Sequence, residues 1–542
     1  MVIRWGQRDA VHALALLAAP GDSHRMRRRR IMLVSAALAC LSCAGCRDAA
    51  TLEIALVIAP SLTPGDAFSS LDVAFVRPED GATVVQGRVA VSAEGATELG
   101  DLGTLEAGTL YEIRLSGAAA VCPAGIIGGR SLPFPWSRTS VSVPIAVGCS
   151  GAFSQTRGTP HTPRLLAGLA SDPSTDQVIV AGGAERANLG VLFDAPVAAL
   201  ENYRRSDGRF ETLVNLGTPR IGPAMISGSD GRFVIAGGQL EGGPNRCSDA
   251  VEVFTNASIA SAEPLAIARC QPAVAQLASG RLIVAGGVRP PGTDGAAAEI
   301  LSADGRRNEG VSQTVPPAPN QVTLHALAGP EDAALSIGGG RPGVTAAMRY
   351  ERCPAGLCAQ PVAFAPEPGE AFRSQASAYF ACASGDAAAP AGIVLVAGGL
   401  SGPNDALVVH DAVWCFEDRP GATSASQIGR LPGPRYRHIA LPLGPPNSAL
   451  LAIGGSPTTD IGGAAYSDAL LGSVDPCTCG QTLDFERIPL GSEGIYADAH
   501  SAASLADGTV LVLGARSRDV QPGLTQVPLA EALLFYPPFR AE

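Results

Sequence analysis

Seven times the chain writes a short apolar run and ends it on glycine. The copies are "DQVIVAGG" (Asp176 to Gly183), "RFVIAGG" ending at Gly238, "RLIVAGG" at Gly287, "ALSIGGG" at Gly340, "IVLVAGG" at Gly399, "LLAIGG" at Gly455 and a degenerate "TVLVLGA" at Ala515. Their first glycines fall at 182, 237, 286, 338, 398, 454 and 514, at intervals of 49 to 60 residues. A fixed pattern at such a period marks a repeat architecture, in which each unit buries its faces against its neighbours.

Other signals recur in phase with the glycines. Upstream stands a turn carrying Arg or His: "TPRLLAG", "TPRIGPA", "IARCQPA", "PRYRHIA" and "ADAHSAA". A hairpin signal such as "SGSDG" or "LADG" then precedes the Gly-Gly strand. Downstream, after a loop of variable length, comes an acidic-Ala-apolar strand: "SDAVEVF", "HDAVWCF", "SDALLGSV", "AEALLFY". A weaker fourth strand follows, such as "RFETLV" at Arg209 to Val214. Four antiparallel strands per unit predict a propeller blade. Glycines closing the second strand suit a crowded exit where φ is positive or a Cβ would clash. With 64 Gly, 43 Pro and only 16% charged residues, the composition fits turn-rich β structure.

These features resemble the kelch family over about residues 151 to 538. The resemblance implies an all-β fold: a seven-bladed kelch-type β-propeller. Kelch blades usually carry a Tyr and a Trp at set positions, which Phe254, Tyr350, Trp414, Phe416 and Phe535 fill only in part. The last blade ends soon after its third strand, and "SGAFSQT" (Ser150 to Thr156) stands ahead of the first with no blade of its own. It is therefore expected to pair with Ala532 to Tyr536 and close the ring. Residues 51–149 lack the repeat. Their alternating runs, "TLEIALVI", "LDVAFVR", "TVVQGRVAVS", "LYEIRLS" and "TSVSVPIAV", predict a small β-sandwich-like domain. The propeller is expected over 150–538, with a tail at 539–542.

The N-terminus reads as a targeting segment. A basic run from Arg25 to Arg30 precedes an apolar stretch, Ile31 to Leu41, that is too short to span a bilayer. "CAGC", Cys43 to Cys46, resembles the bacterial lipobox, although that pattern prefers Leu where Cys43 stands. Residues 1–45 are thus read as a signal peptide, with Met26 as an alternative start. Cys46 is the lipidation site, and 46–50 is a short linker. Cys40 and Cys43 are competing sites, and a plain secretory signal is the rival reading. The expected location is the cell envelope, with the membrane reached through the N-terminal lipid, on the outer membrane or cell surface. Removing 1–45 leaves 32 Arg against 48 Asp and Glu, a net charge of about −16. Such a chain is a poor partner for nucleic acid.

Ten cysteines follow Cys46, and export permits disulfides. They fall into sequential neighbours: Cys122 and Cys149, Cys247 and Cys270, Cys353 and Cys358, Cys382 and Cys415, Cys477 and Cys479. Connectivity is open at this level. Zinc is the rival for "CTC" and "CPAGLC", but histidines at ligand spacing are missing.

No nucleophile elbow, metalloprotease helix or phosphate loop occurs, so no catalytic residue, metal or cofactor is assigned. His325, His438 and His500 begin inner strands and are candidates for a channel-mouth cluster, or for histidines hydrogen-bonded between blades. Arg164, Arg220, Arg269, Arg373, Arg435 and Arg437 occupy related entry positions. They would either hold a carboxylate or sulfate bidentately or brace backbone carbonyls. Loops on a rigid scaffold point to a non-enzymatic binding module for a protein or glycan. The alternative is a secreted carbohydrate-acting enzyme, because some kelch propellers resemble copper oxidases or sialic-acid epimerases. The oxidases need a Tyr, His and Cys cluster that the spacing here does not display.

Overall fold

A computed structural model describes Val2–Gly6 and residues 51–539, apart from loop stretches of which the longest are 97–104, 289–297, 312–321, 339–346, 363–375, 459–464 and 518–527. Cys40, Cys43, Cys46 and Arg373 lie outside the described residues. Every described element is a strand.

Seven four-stranded antiparallel sheets form a propeller. In the first blade the strands run from the channel outward as Gly168–Ser171, Gln177–Ala181, Ala199–Arg204 and Arg209–Asn215. The other inner strands are Ala224–Ser227, Ala273–Gln276, Val322–Ala326, Ala376–Ala381, Ile439–Leu443 and Ser501–Ser504, each touching the next around the ring. The second strands are continuously apolar because both of their faces are covered. In the second blade, Phe233 and Ile235 pack with Ile179 and Leu200 of the first. The alternate residues Val234 and Ala236 pack with Leu282 and Val284 of the third.

The last blade takes its outer strand from the start of the propeller. Ala152–Gln155 pairs antiparallel with Leu533–Tyr536, with Ala152 opposite Tyr536 and Gln155 opposite Leu533. Phe153 meets Phe535 at 4.9 Å between ring centroids. This is the closure expected for Ser150 to Thr156.

The glycine pairs adopt the anticipated conformation. Gly182 and Gly183 have φ of 61° and 105°. A Cβ on Gly182 would stand 2.4 Å from the Arg220 carbonyl oxygen of the next blade. The Gly183 N–H donates to that same oxygen at 2.9 Å. The pair therefore ends the strand and joins it to the neighbouring blade.

Residues 51–149 form one continuous curved sheet, a half-barrel, where two packed sheets were expected. Its order is Val2–Gly6, Thr51–Ile58, Val141–Cys149, Ile126–Arg130, Leu110–Ala118, Ser70–Val76, Thr83–Ser92 and Gly95–Ala96. The sheet curls so that Leu52, Ile54, Phe75, Ile113 and Ile145 meet in one core. Thr51–Ile58 pairs parallel with Val141–Cys149, while Val2–Gly6, which belongs to the segment read as a signal peptide and would leave with it, pairs antiparallel with its other edge. The half-barrel sits on the hairpin turns of the last and first blades. The Arg130 Nε–H donates to the Asp507 carbonyl at 2.6 Å, the Tyr536 ring covers Gly148, and Val57 packs beside Gly208.

Four disulfides are described. Cys122–Cys149 staples the half-barrel, and Cys247–Cys270 ties the second blade to the third. The neighbour pairs Cys382 with Cys415 and Cys477 with Cys479 do not form. Instead Cys382–Cys477 and Cys415–Cys479 both join the fifth blade to one turn of the sixth. Cys358 is disulfide-bonded, and the side chain of Cys353 lies outside the described residues. This cysteine usage indicates an oxidising compartment and hence export. Among the described residues no helix is long and apolar enough to cross a membrane.

Candidate functional site

The entry arginines come together as a ladder inside the blades. Arg220, Arg269 and Arg435 are fully buried, and Arg164 is nearly so. Each reaches a carboxylate on the third strand of its own blade: Arg164 to Glu201, Arg220 to Glu252, Arg269 to Glu299 and Arg435 to Asp468. The guanidinium also donates to backbone. Arg269 gives Nε–H to Glu299 at 3.0 Å and Nη1–H to the Gly286 carbonyl at 2.8 Å. Arg220 gives Nη1–H to Ala250 at 2.9 Å, and Arg435 gives Nη1–H to Gly454 at 2.7 Å. Arg435 also lies over the Tyr466 ring, 3.8 Å from its centroid.

The carboxylates are occupied on their other side. Glu201 accepts the His161 and Thr162 N–H groups, Glu252 accepts that of Gly217, and Glu299 accepts Ala266 N–H and Asn308 Nδ2–H. Burial lowers the pKa of Arg164, Arg220 and Arg435 from the ordinary arginine value, and the partner carboxylate opposes that shift. These four cations are thus turned inward. Arg437, two residues past the ladder position, is half-buried beside the Tyr436 ring and adopts φ of 57°. Leu166, Gly222 and Gln271 hold the same left-handed position in other blades.

The histidines divide. His325 Nε2 lies 2.6 Å from Ser377 Oγ on the next inner strand, and Ser377 in turn donates to Thr323 at 2.5 Å. His438 is buried at the position held by Pro223 and Pro272 in other blades. It packs on Gly398 of the preceding blade as Pro223 packs on Gly182 and Pro272 on Gly237. Burial, with Arg435 and His500 close by, lowers its pKa to about 3. Burial alone lowers that of His325 to about 4. Among the described residues no three His, Cys, Asp or Glu side chains form a metal-type group. The acidic partners of the arginines went unassigned from sequence, although they had a signal. They lie 37, 32, 30 and 33 residues downstream, in phase on the third strand.

Fold and ladder together define a seven-bladed β-propeller with an N-terminal half-barrel. No protein-family model matches the chain, and no curated protein matches its sequence. Among solved structures it is similar in fold to a fungal alcohol oxidase of the AA5 family in complex with copper. The identity is 13%, the match covers 72% of this chain and 76% of that one, and the TM-score is 0.50. The structure of YjhT aligns at 15% identity over 60% of this chain and 99% of that one, with a TM-score of 0.41.

Proposed function

We propose that this is an exported, envelope-anchored, kelch-type propeller that binds a protein or glycan and carries out no reaction of its own. The observation that carries the reading is the division of labour within the blade. Cations repeated at the channel entry are buried in Arg–carboxylate pairs, whereas the loops between second and third strands leave one face of the ring with differing lengths and builds. The first blade's loop forms its own hairpin, Ala184–Asn188 with Leu192–Pro196, and the fifth blade's pairs Leu400–Ser401 with Val408–Val409. Rigid scaffolds with variable loops are suited to recognition.

The described donors do not fit the copper-oxidase alternative. That chemistry needs a thiol beside tyrosine and histidine, and nine described cysteines, Cys122 through Cys479, are held in disulfides. Anchoring is assigned to a lipid on Cys46. Three acyl chains would hold the protein firmly, since each buried CH₂ contributes about 0.8 kcal/mol.

The test is a glycan array and an envelope-protein overlay with the exported chain. It is repeated with the hairpins Ala184–Pro196 and Leu400–Val409 each replaced by a short Gly-Ser turn. Loss of a ligand with unchanged melting temperature supports the loop face as the binding surface. Ligand binding that survives both replacements and any other shortening of that face refutes it. Cys46→Ser should release the protein from membranes. Continued palmitate labelling of that variant would move the anchor to Cys43.

A further inference from the structure

The half-barrel is closed by a strand that leaves with the signal peptide. Val2–Gly6 pairs antiparallel with residues 51–55, and it comes within 8 Å, Cα to Cα, of Gly95–Ala96 at the opposite end of the sheet. Gly95–Ala96 in turn pairs with Val91 and Ser92. The gap between the two edges is therefore one strand wide. Once residues 1–45 are removed, a slit stands in its place.

Two kinds of unmet surface line this slit. Without Val2–Gly6, Thr51–Ile58 is bonded on one side only, to Val141–Cys149. It is eight residues long with no proline, and Glu53 is its only charge, so it lacks the devices that blunt an open edge. The second surface is apolar. Leu52 and Ile54 are 0% and 1% exposed with the strand in place, and Val89 and Val91 of the facing edge belong to the same core. Removing the strand opens that core to water. Residues 46–50 are too few to refill it, because a hairpin turn takes about two residues and leaves about three to pair.

A lone extended segment fits the slit. The edge strand of a second copy of this chain would bring its own neighbours with it, and the facing edge leaves no room for them. The register of Val2–Gly6 supplies the pattern: Ile3 opposite Ile54, Trp5 opposite Leu52, and Arg4 between them opposite Glu53. Cross-strand partners share a face of the sheet, and opposite charges so placed attract. Adding a strand to an open edge is a recurring mode of peptide recognition.

We infer that the exported chain takes up, in this slit, one extended segment of a partner protein. The segment runs antiparallel to Thr51–Ile58, with apolar residues opposite Leu52 and Ile54 and a cation opposite Glu53. The inference rests on the export reading, and its site lies on the turn side of the ring, apart from the variable loops.

The mature chain is isolated from the envelope and its N-terminus is read by mass. A chain that keeps Val2–Gly6 overturns the processing on which the slit depends, whereas a chain that begins at Cys46 tests the slit itself. The probe is a fluorescein-labelled peptide of residues 2–8, VIRWGQR, read by anisotropy and expected to bind at about 100 μM or tighter. Ile3→Pro in one peptide and Arg4→Pro in another remove ladder donors of opposite parity, so at least one should bind about tenfold more weakly. Glu53→Lys in the protein should weaken the parent peptide about two- to fivefold, and Arg4→Glu in the peptide should restore binding. The melting temperature establishes that this variant is folded. Glu53→Gln replaces it if it is not, and should then erase the preference for Arg4 over Arg4→Glu. No saturable binding to the chain that begins at Cys46, binding indifferent to both prolines, or binding indifferent to the charge at position 53 overturns the proposal.

Discussion

Replacing Arg269 by Met isolates what one rung of the ladder contributes. Arg269 and Glu299 are both completely buried, so the substitution leaves a carboxylate charge without its cation and takes the donor from the Gly286 carbonyl. Glu299 keeps the Ala266 and Asn308 donors, which solvate the charge without neutralising it. Removing one partner of such a pair costs about 3–5 kcal/mol. A propeller of roughly 390 residues unfolds with an entropy near 0.8 kcal/mol/K, so the expected fall in melting temperature is about 4–6 °C. Arg435→Met should cost less, about 1–3 kcal/mol, because Asp468 is partly exposed and retains Arg487 at 3.0 Å. The double variant Arg269→Met/Glu299→Leu should recover most of the loss, since no buried charge remains. Differential scanning calorimetry, with and without sulfate, reads all three. If both single variants melt like the parent while a sulfate-induced stabilisation disappears, the arginines are a binding rim and the bracing argument fails.

Acid should destabilise the ring through its histidines. The folded-state pKa of His438, about 3, lies below the unfolded value near 6.5, so stability is full above 6.5 and drains as pH falls toward 3. At pH 4.5 the cost is about 3 kcal/mol for this one residue. His438→Gln should flatten the melting profile between pH 6.5 and 4, and an unchanged slope would remove His438 from the account. Deleting Gly151 to Thr156 strips the outer strand from the last blade and exposes its edge. It should destabilise and aggregate the protein more than deleting the loop Leu240 to Asn245, and equal effects would argue against strand closure. Non-reducing peptide mapping should recover Cys382 with Cys477 and Cys415 with Cys479. A Cys382–Cys415 peptide would refute the cross-blade arrangement.

The ring was legible in the sequence because its punctuation is local. The Gly-Gly after Ala181, Ala236 and Ala397 is required where the carbonyl of Arg220, Arg269 or Arg435 in the next blade approaches, and that requirement repeats in phase. Closure was legible for a related reason: Ser150 to Thr156 had no blade of its own, and one blade lacked a strand. What escaped was pairing across distance. Arg269 and Glu299 are 30 residues apart on different strands, and only the third-strand register makes them partners. The cysteines fell into sequential neighbours with their connectivity open, and it is the fold that brings Cys382 and Cys415 to the turn of the sixth blade that carries Cys477 and Cys479. The half-barrel differs from a sandwich by how its strands are joined, notably the parallel pairing of Thr51–Ile58 with Val141–Cys149, which leaves no local mark on the alternation of either strand. A propeller whose cations are fixed in its blades by Glu201, Glu252, Glu299 and Asp468 is free to vary its loops without disturbing the ring.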